Sequence, residues 1–387
     1  MAAALPELGV GMIGYGFMGQ IHTYAYQSIP FLYNPPPARI RLAAVCTAHE
    51  DTARRAADRA GYARAMTDYR QLIDDPAVDI VHVCTPNAAH AEACIAALSA
   101  GKHVYCDKPL ARNVAEAEAI VSAADRSATS THQMTFQNRF LPATLRAKEL
   151  MDEGFVGRLF GYRAAYLHAG YIEASRPMSW RLDAHVSGGG ALHDLGSHII
   201  DLMRHLTGEI TRVSARCETL IPERPTRDGG TARVEVDDVV LMQVELANGA
   251  LATLEASRLA TGVNDELNFE IHGDKGALRF SLMDPNWLYA YDHRDTPGPY
   301  GGTRGFKAIE TVQRYPTPAA LPGPKCSVGW VRAHIACLHN FLACIVEDRQ
   351  PVPSLHDGLA VQRIMAAAQE SSRTRQWVDV PHTQEPS

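Results

Sequence analysis

Leu8-Gly9-Val10-Gly11-Met12-Ile13-Gly14-Tyr15-Gly16-Phe17-Met18-Gly19 is a short apolar run that ends in a Gly-x-Gly-x-x-Gly turn and leads into a helical pattern. In that setting the spacing is a dinucleotide fingerprint, because the glycines allow the tight turn and let a pyrophosphate approach the positive end of the helix. Gly14, Gly16, Phe17, Met18 and Gly19 are the contacts it predicts. Outward from this turn, strand-like runs at 39–46, 80–84, 103–105 and 132–135 alternate with Ala-, Glu- and Arg-rich helical segments at 50–60, 88–100 and 114–125. That alternation reads as an α/β, doubly wound parallel sheet, a Rossmann domain over residues 1–138.

The second strand should end in an acid that binds the adenine ribose. It runs Ala44-Val45-Cys46-Thr47-Ala48-His49 instead. Thr47 does not repel a 2′-phosphate, and Arg54 and Arg55 either reach one or are solvated helix charges, so the cofactor reads as NAD or NADP. Later strands end in Thr85-Pro86-Asn87-Ala88-Ala89-His90 and Cys106-Asp107-Lys108-Pro109, at the carboxyl ends where a doubly wound sheet binds its ligand. Lys108 precedes a proline and is therefore expected on extended backbone.

Past Arg139 the texture changes. A helix at 143–153 is followed by strand-like runs at 158–167, 211–221, 236–246, 250–257, 267–273 and 277–282. Asn248-Gly249 and Gly273-Asp274-Lys275-Gly276 are hairpin signals between them. Residues 139–387 thus read as an α+β domain with a mainly antiparallel sheet. The proline-rich stretch 292–329 reads as loop, and helices are predicted at 331–347 and 358–371. Within this half, Gly188-Gly189-Gly190 opens a helix predicted to about Leu206 that carries Asp194 and His198, four apart on one face. A carboxylate can orient an imidazole there, and histidine suits a hydroxyl proton at neutral pH. A helix-turn charge, a core histidine and a pair of metal ligands are the other readings. His193 and Asp201 complete no ligand set, so no metal is expected.

Hydrophobic residues at 46% and charged residues at 21% exclude a disordered chain. A net charge of −6 offers no footprint for nucleic acid or an anionic membrane. The eight cysteines include no Cys-x-x-Cys pair, and Met1–Leu8 lacks the basic and apolar regions of a signal peptide, so a cytoplasmic protein is expected.

The ordered set of motifs resembles the Gfo/Idh/MocA oxidoreductase family. It comprises the glycine turn, Thr85-Pro86-Asn87 with His90, Lys108-Pro109, Gln137-Asn138-Arg139-Phe140, Trp180-Arg181, the Asp194/His198 helix and Pro353-Ser354-Leu355-His356-Asp357-Gly358. Met178-Ser179-Trp180-Arg181 and Ile221-Pro222-Glu223-Arg224-Pro225 look most like its levoglucosan dehydrogenase-like sugar dehydrogenases. The resemblance implies a catalytic group of Lys108, Asp194 and His198, with Asp107 in place of the family's usual glutamate. It implies cofactor contacts at Thr47, Thr85, Pro86, Asn87, His90, Asp107, Lys108, Asn138, Trp180 and Arg181. Substrate contacts are expected from Lys108, Arg139, Tyr166, Trp180, Arg181, His185, Asp194 and His198. It further implies C-terminal helices that return towards the nucleotide domain, and an open sheet face that packs subunits into dimers or tetramers. The expected activity is NAD(P)-dependent oxidation of a secondary hydroxyl of a sugar, anhydrosugar, cyclitol or glycoside. An NAD-dependent glycosidase acting through transient C3 oxidation and a non-catalytic nucleotide sensor are the alternatives.

Overall fold

A computed structural model describes residues 5–381, which divide into two compact units. The first contains the chain up to Gln137, Tyr315–Gly323 and Trp330–Gln362; the second contains Asn138–Arg314, Pro324–Gly329 and the chain from Arg363. The second unit is therefore interrupted twice, by Tyr315–Gly323 and by Trp330–Gln362. The cause lies in a late helix whose side chains complete the first unit's core.

In the first unit the elements are β1 (Glu7–Ile13), α1 (Phe17–Leu32), β2 (Arg39–Cys46), α2 (Glu50–Ala60), β3 (Arg64–Met66), α3 (Tyr69–Asp74), β4 (Ile80–Val83), α4 (His90–Ser99), β5 (His103–Cys106), α5 (Val114–Arg126) and β6 (His132–Met134). The six strands are parallel in the order β3-β2-β1-β4-β5-β6, the doubly wound order, and the order reverses between β1 and β4. Val10, Met12, Ile80, Val81, Val83 and Val104 are completely buried. Each such side chain contributes about 1.5–3 kcal/mol, and burial on both faces is why these strands read as apolar runs.

The second unit holds α6 (Pro142–Asp152), β7 (Leu159–Leu167), α7 (Ala184–Ser187), α8 (Ser197–Thr207), β8 (Ile210–Glu218), β9 (Glu223–Pro225), β10 (Thr231–Arg233), β11 (Val239–Leu246), β12 (Leu251–Ser257), β13 (Glu266–Gly273), β14 (Gly276–Ser281), β15 (Trp287–Asp292) and β16 (Lys307–Glu310). Helices α9 (Trp330–Val346) and α10 (Leu355–Thr374) and strand β17 (Val378–Asp379) follow. Helix α9 is the late contributor to the first unit, where Trp330 packs 6.0 Å from Phe17 and Arg332 donates to the Tyr33 hydroxyl at 2.8 Å. Gln133 reaches the Cys337 carbonyl at 2.7 Å.

The nine-stranded sheet runs β16-β15-β14-β13-β7-β12-β11-β8-β17. It is antiparallel except where β7 and β12 pair in parallel, so the sheet is mixed. Both hairpins form, with Gly249 at φ 82° between β11 and β12. Strand β16 corrects the reading of 292–329 as loop: it is a four-residue edge strand between proline-rich turns. Along β11 Val240, Met242 and Val244 are buried while Leu241 and Gln243 are exposed, which leaves one face of the sheet open within this unit. Among the described residues no helix is long and apolar enough to cross a membrane.

The first unit's core also contains histidines. The His22 ring lies 4.5 Å from that of His82 and 5.3 Å from that of His334. Burial lowers His22 to about 4, and it lowers His132 and His339 to about 4 as well. The unfolded chain takes up these protons at its ordinary value near 6.5 while the folded chain does not. Stability is therefore complete above pH 6.5 and is lost as pH falls towards 4, by about 2 kcal/mol per such residue at pH 5. Thermal melts at pH 7.5 and 5.0 are expected to differ by several degrees, the acid sample being the less stable.

Candidate functional site

In the first unit the glycine turn is shaped for a ligand's phosphates. Gly14 has φ 90°, and a Cβ on it would lie 2.6 Å from the Cys84 carbonyl oxygen; one on Gly19 would lie 2.4 Å from the Gly14 carbonyl oxygen. Gly16 instead faces open space. It caps α1 without a side-chain bond, and no acid stands in the first turn. The helix therefore keeps its leading N–H groups and its positive end for an anion, which fits the pyrophosphate of a dinucleotide. Phe17 is exposed beside the turn.

At the ribose end the Thr47 hydroxyl is bonded to the Thr52 hydroxyl at 2.6 Å and to the His49 carbonyl at 2.9 Å. Arg54 pairs with Glu50 on the exposed face of α2. Glu50 and Asp51 both occupy that helix's first turn, where a 2′-phosphate would need cations. NAD is therefore expected to outperform NADP in kcat/KM by about tenfold or more. Thr47→Asp should widen the ratio, and initial rates with both cofactors check it.

Asn87 and His90 are buried, whereas Thr85 is half-buried and Pro86 exposed. His90, expected among direct cofactor contacts, lies between two backbone carbonyls: Nδ1 is 3.0 Å from the Pro109 carbonyl oxygen and Nε2 is 3.0 Å from that of Thr85. It ties the loop after β4 to the loop after β5. In the latter, Asp107 is buried and its carboxylate accepts from the Lys108 N–H at 2.9 Å. Lys108 is half-buried and its bond to Pro109 is cis. His22, His82 and Cys84 place their ligand-type atoms within 4.8 Å of one another, but the two rings pack at a 44° tilt and His82 Nδ1 lies 3.2 Å from the Tyr26 hydroxyl, as in an aromatic core.

In the second unit the predicted helix divides. Leu192–Gly196 forms one π-type turn that carries Asp194, and α8 begins at Ser197 and carries His198 in its first turn. The entry to this turn is held by Asp237, which sequence reasoning missed: its carboxylate accepts from the N–H groups of Gly190 at 2.9 Å and Leu192 at 2.7 Å. A Cβ on Gly190 would lie 1.8 Å from the Asp237 carbonyl oxygen, which is the physical need for glycine there. Arg258, also missed, donates to the Asp194 carboxylate at 3.1 Å. His198 is buried with its ring 5.6 Å from that of Tyr166. Burial, and then a hydrogen bond and charge from Asp265, raise the Tyr166 phenol well above its ordinary range.

Trp180 and Arg181 are half-buried, with the guanidinium 4.4 Å from the centre of the indole face. His185 is exposed in α7, and its N–H donates to Asp183. Asn138 is buried, and so is Arg139, the residue expected at the substrate. Arg139 is sealed in a bidentate ion pair with Asp201, with Nε at 2.9 Å and Nη2 at 2.5 Å from the two oxygens. A buried guanidinium needs that partner.

Residues 8–133 match the oxidoreductase family with an NAD-binding Rossmann fold, and residues 144–279 match the GFO/IDH/MocA C-terminal domain. The levoglucosan dehydrogenase of Pseudarthrobacter phenanthrenivorans is 37% identical, across 97% of this chain and 99% of that protein. The myo-inositol 2-dehydrogenase of Thermotoga maritima is 29% identical across 70% of this chain and 74% of its own length. Among solved structures, a levoglucosan dehydrogenase in complex with NADH and levoglucosan superposes with a TM-score of 0.92 at 38% identity, covering 97% of this chain and 99% of that one.

Proposed function

This chain belongs to the Gfo/Idh/MocA family of NAD-binding oxidoreductases, and from that premise we propose that it oxidises a secondary hydroxyl of a neutral sugar, anhydrosugar, cyclitol or glycoside to the ketone. The observation that carries the reading is the pair Asp194 and His198 at the junction of a π-type turn and α8, in a chain that also has Lys108 at the end of β5. Relatives named for levoglucosan and inositol support the substrate class. Bound NAD supplies the hydride acceptor. His198 takes the hydroxyl proton, and the Asp194 carboxylate favours the imidazolium that results. Lys108 stabilises the charge that develops on the alkoxide oxygen. Trp180 offers an aromatic face to the ring's C–H bonds, and Arg181 offers donors to its hydroxyls.

The test is a screen of anhydrosugars, hexoses, inositols and glycosides with NAD and with NADP, following reduced nicotinamide and released products. A ketone product with net cofactor reduction is the outcome we expect, and the product's structure identifies the carbon oxidised, C3 of a pyranose being the candidate position. Release of an aglycone without net reduction would replace this reading by the glycosidase one, and tight cofactor binding without turnover on any sugar would replace it by a nucleotide sensor. The exposed Leu241 and Leu251 on the open sheet face suit a contact between copies of this chain. Light scattering should report a dimer or tetramer, and Leu241→Arg with Leu251→Arg should lower its mass.

A further inference from the structure

Arg258 is a buried cation that the mechanism above leaves without a task. It follows β12, its side chain is 1% exposed, and its backbone N–H donates to the Asp238 carbonyl at 3.0 Å. The guanidinium spans two acceptors: Nη2 reaches Asp194 Oδ2 at 3.1 Å, and Nη1 reaches the Arg181 carbonyl oxygen at 3.4 Å. The ring of Tyr171, 4.8 Å away, supports it. Tyr171 in turn receives Arg176 at 4.3 Å, and its carbonyl accepts from the buried Arg224 at 2.6 Å.

Two ion pairs of this unit differ in a way that separates a packing role from a positioning one. Arg139 and Asp201 are sealed at both ends, at 4% and 2% exposure. Arg258 and Asp194 are sealed at the arginine only, since the carboxylate is 25% exposed. An arginine that is desolvated in order to hold a carboxylate at a surface gains little from burial itself. What it does provide is direction, because the planar fork fixes both of its acceptors at once. Those acceptors are the acid beside His198 and the backbone of the Trp180–Arg181 turn.

We propose that Arg258 is the positioning residue of this active site, holding the Asp194 carboxylate and the Trp180–Arg181 turn in one fixed relation. The inference rests on the sugar dehydrogenase reading and adds a residue to it. Lysine at 258 keeps a cation for Asp194 but cannot also reach the Arg181 carbonyl, whereas methionine keeps bulk and loses both bonds. Misplacement of reacting groups by an ångström costs on the order of 100-fold in rate.

The experiment measures kcat, the sugar KM and NADH affinity for wild type, Arg258→Lys, Arg258→Met and Arg258→Ala, with circular dichroism to establish folding. Arg258→Met should lose on the order of 100-fold in kcat with unchanged NADH affinity. Arg258→Lys should keep kcat within a few-fold and raise the sugar KM about tenfold, and guanidinium ion at non-denaturing concentration should restore part of the kcat of Arg258→Ala. A folded Arg258→Met with wild-type kcat and KM overturns the proposal. If that variant does not fold, an unchanged sugar KM in Arg258→Lys overturns it. Wild type is assayed alongside, so a failure of the dehydrogenase reading appears there, as absence of sugar oxidation, and not in the variants.

Discussion

Replacing Lys108 by methionine should lower turnover about 1000-fold or more while NADH affinity stays within a few-fold of wild type. The backbone at this position is fixed independently of the ammonium group. Asp107 accepts from the Lys108 N–H, and His90 lies against the Pro109 carbonyl and, 3.0 Å away on its other side, the Thr85 carbonyl. Methionine matches the length of the lysine stem, so the strand end and the glycine turn should keep their shape, and what disappears is a charge opposite a developing alkoxide. Lys108→Arg should recover only part of the loss, because a guanidinium is a planar fork and not a compact point charge. Steady-state rates together with NADH fluorescence titration separate the two quantities. Turnover near normal in the methionine variant would remove Lys108 from the mechanism.

The parts of this fold that were legible in sequence share a cause, and so do the parts that were not. Strands β1 and β4 are buried on both faces over most of their length and announce themselves as apolar runs; the β11–β12 turn requires a positive φ that Gly249 supplies at 82°. By contrast β3, β9 and β16 have three, three and four residues, too few for a period to show. The site divides in the same way. Lys108, Asp194 and His198, the residues proposed for catalysis, stand out because each belongs to a local motif at a strand end or a helix start. The buried ion pair of Arg139 gives no local signal, because its partner Asp201 lies 62 positions later. Arg258 and Asp237 were invisible for the same reason: their partners, Asp194 and Gly190, are 64 and 47 positions away. The π-type turn belongs with them, since its entry is held by Asp237, 45 positions from Leu192.

Exchange of His198 for asparagine should cost turnover a factor of about 100 to 10,000, again with NADH affinity retained. His198 is buried in the first turn of α8 with Tyr166 against its ring, so asparagine, the smaller neutral polar residue, leaves the packing of that turn largely intact. The combination with Lys108→Met carries the sharper information. Groups that act on one proton and one oxygen in a single step are not additive, because once either is lost the other has no concerted event to assist. The double variant should therefore be little slower than the slower single variant. Additive losses would mean that the two residues serve separate steps, and an unimpaired His198→Asn would leave Lys108 as the base by itself.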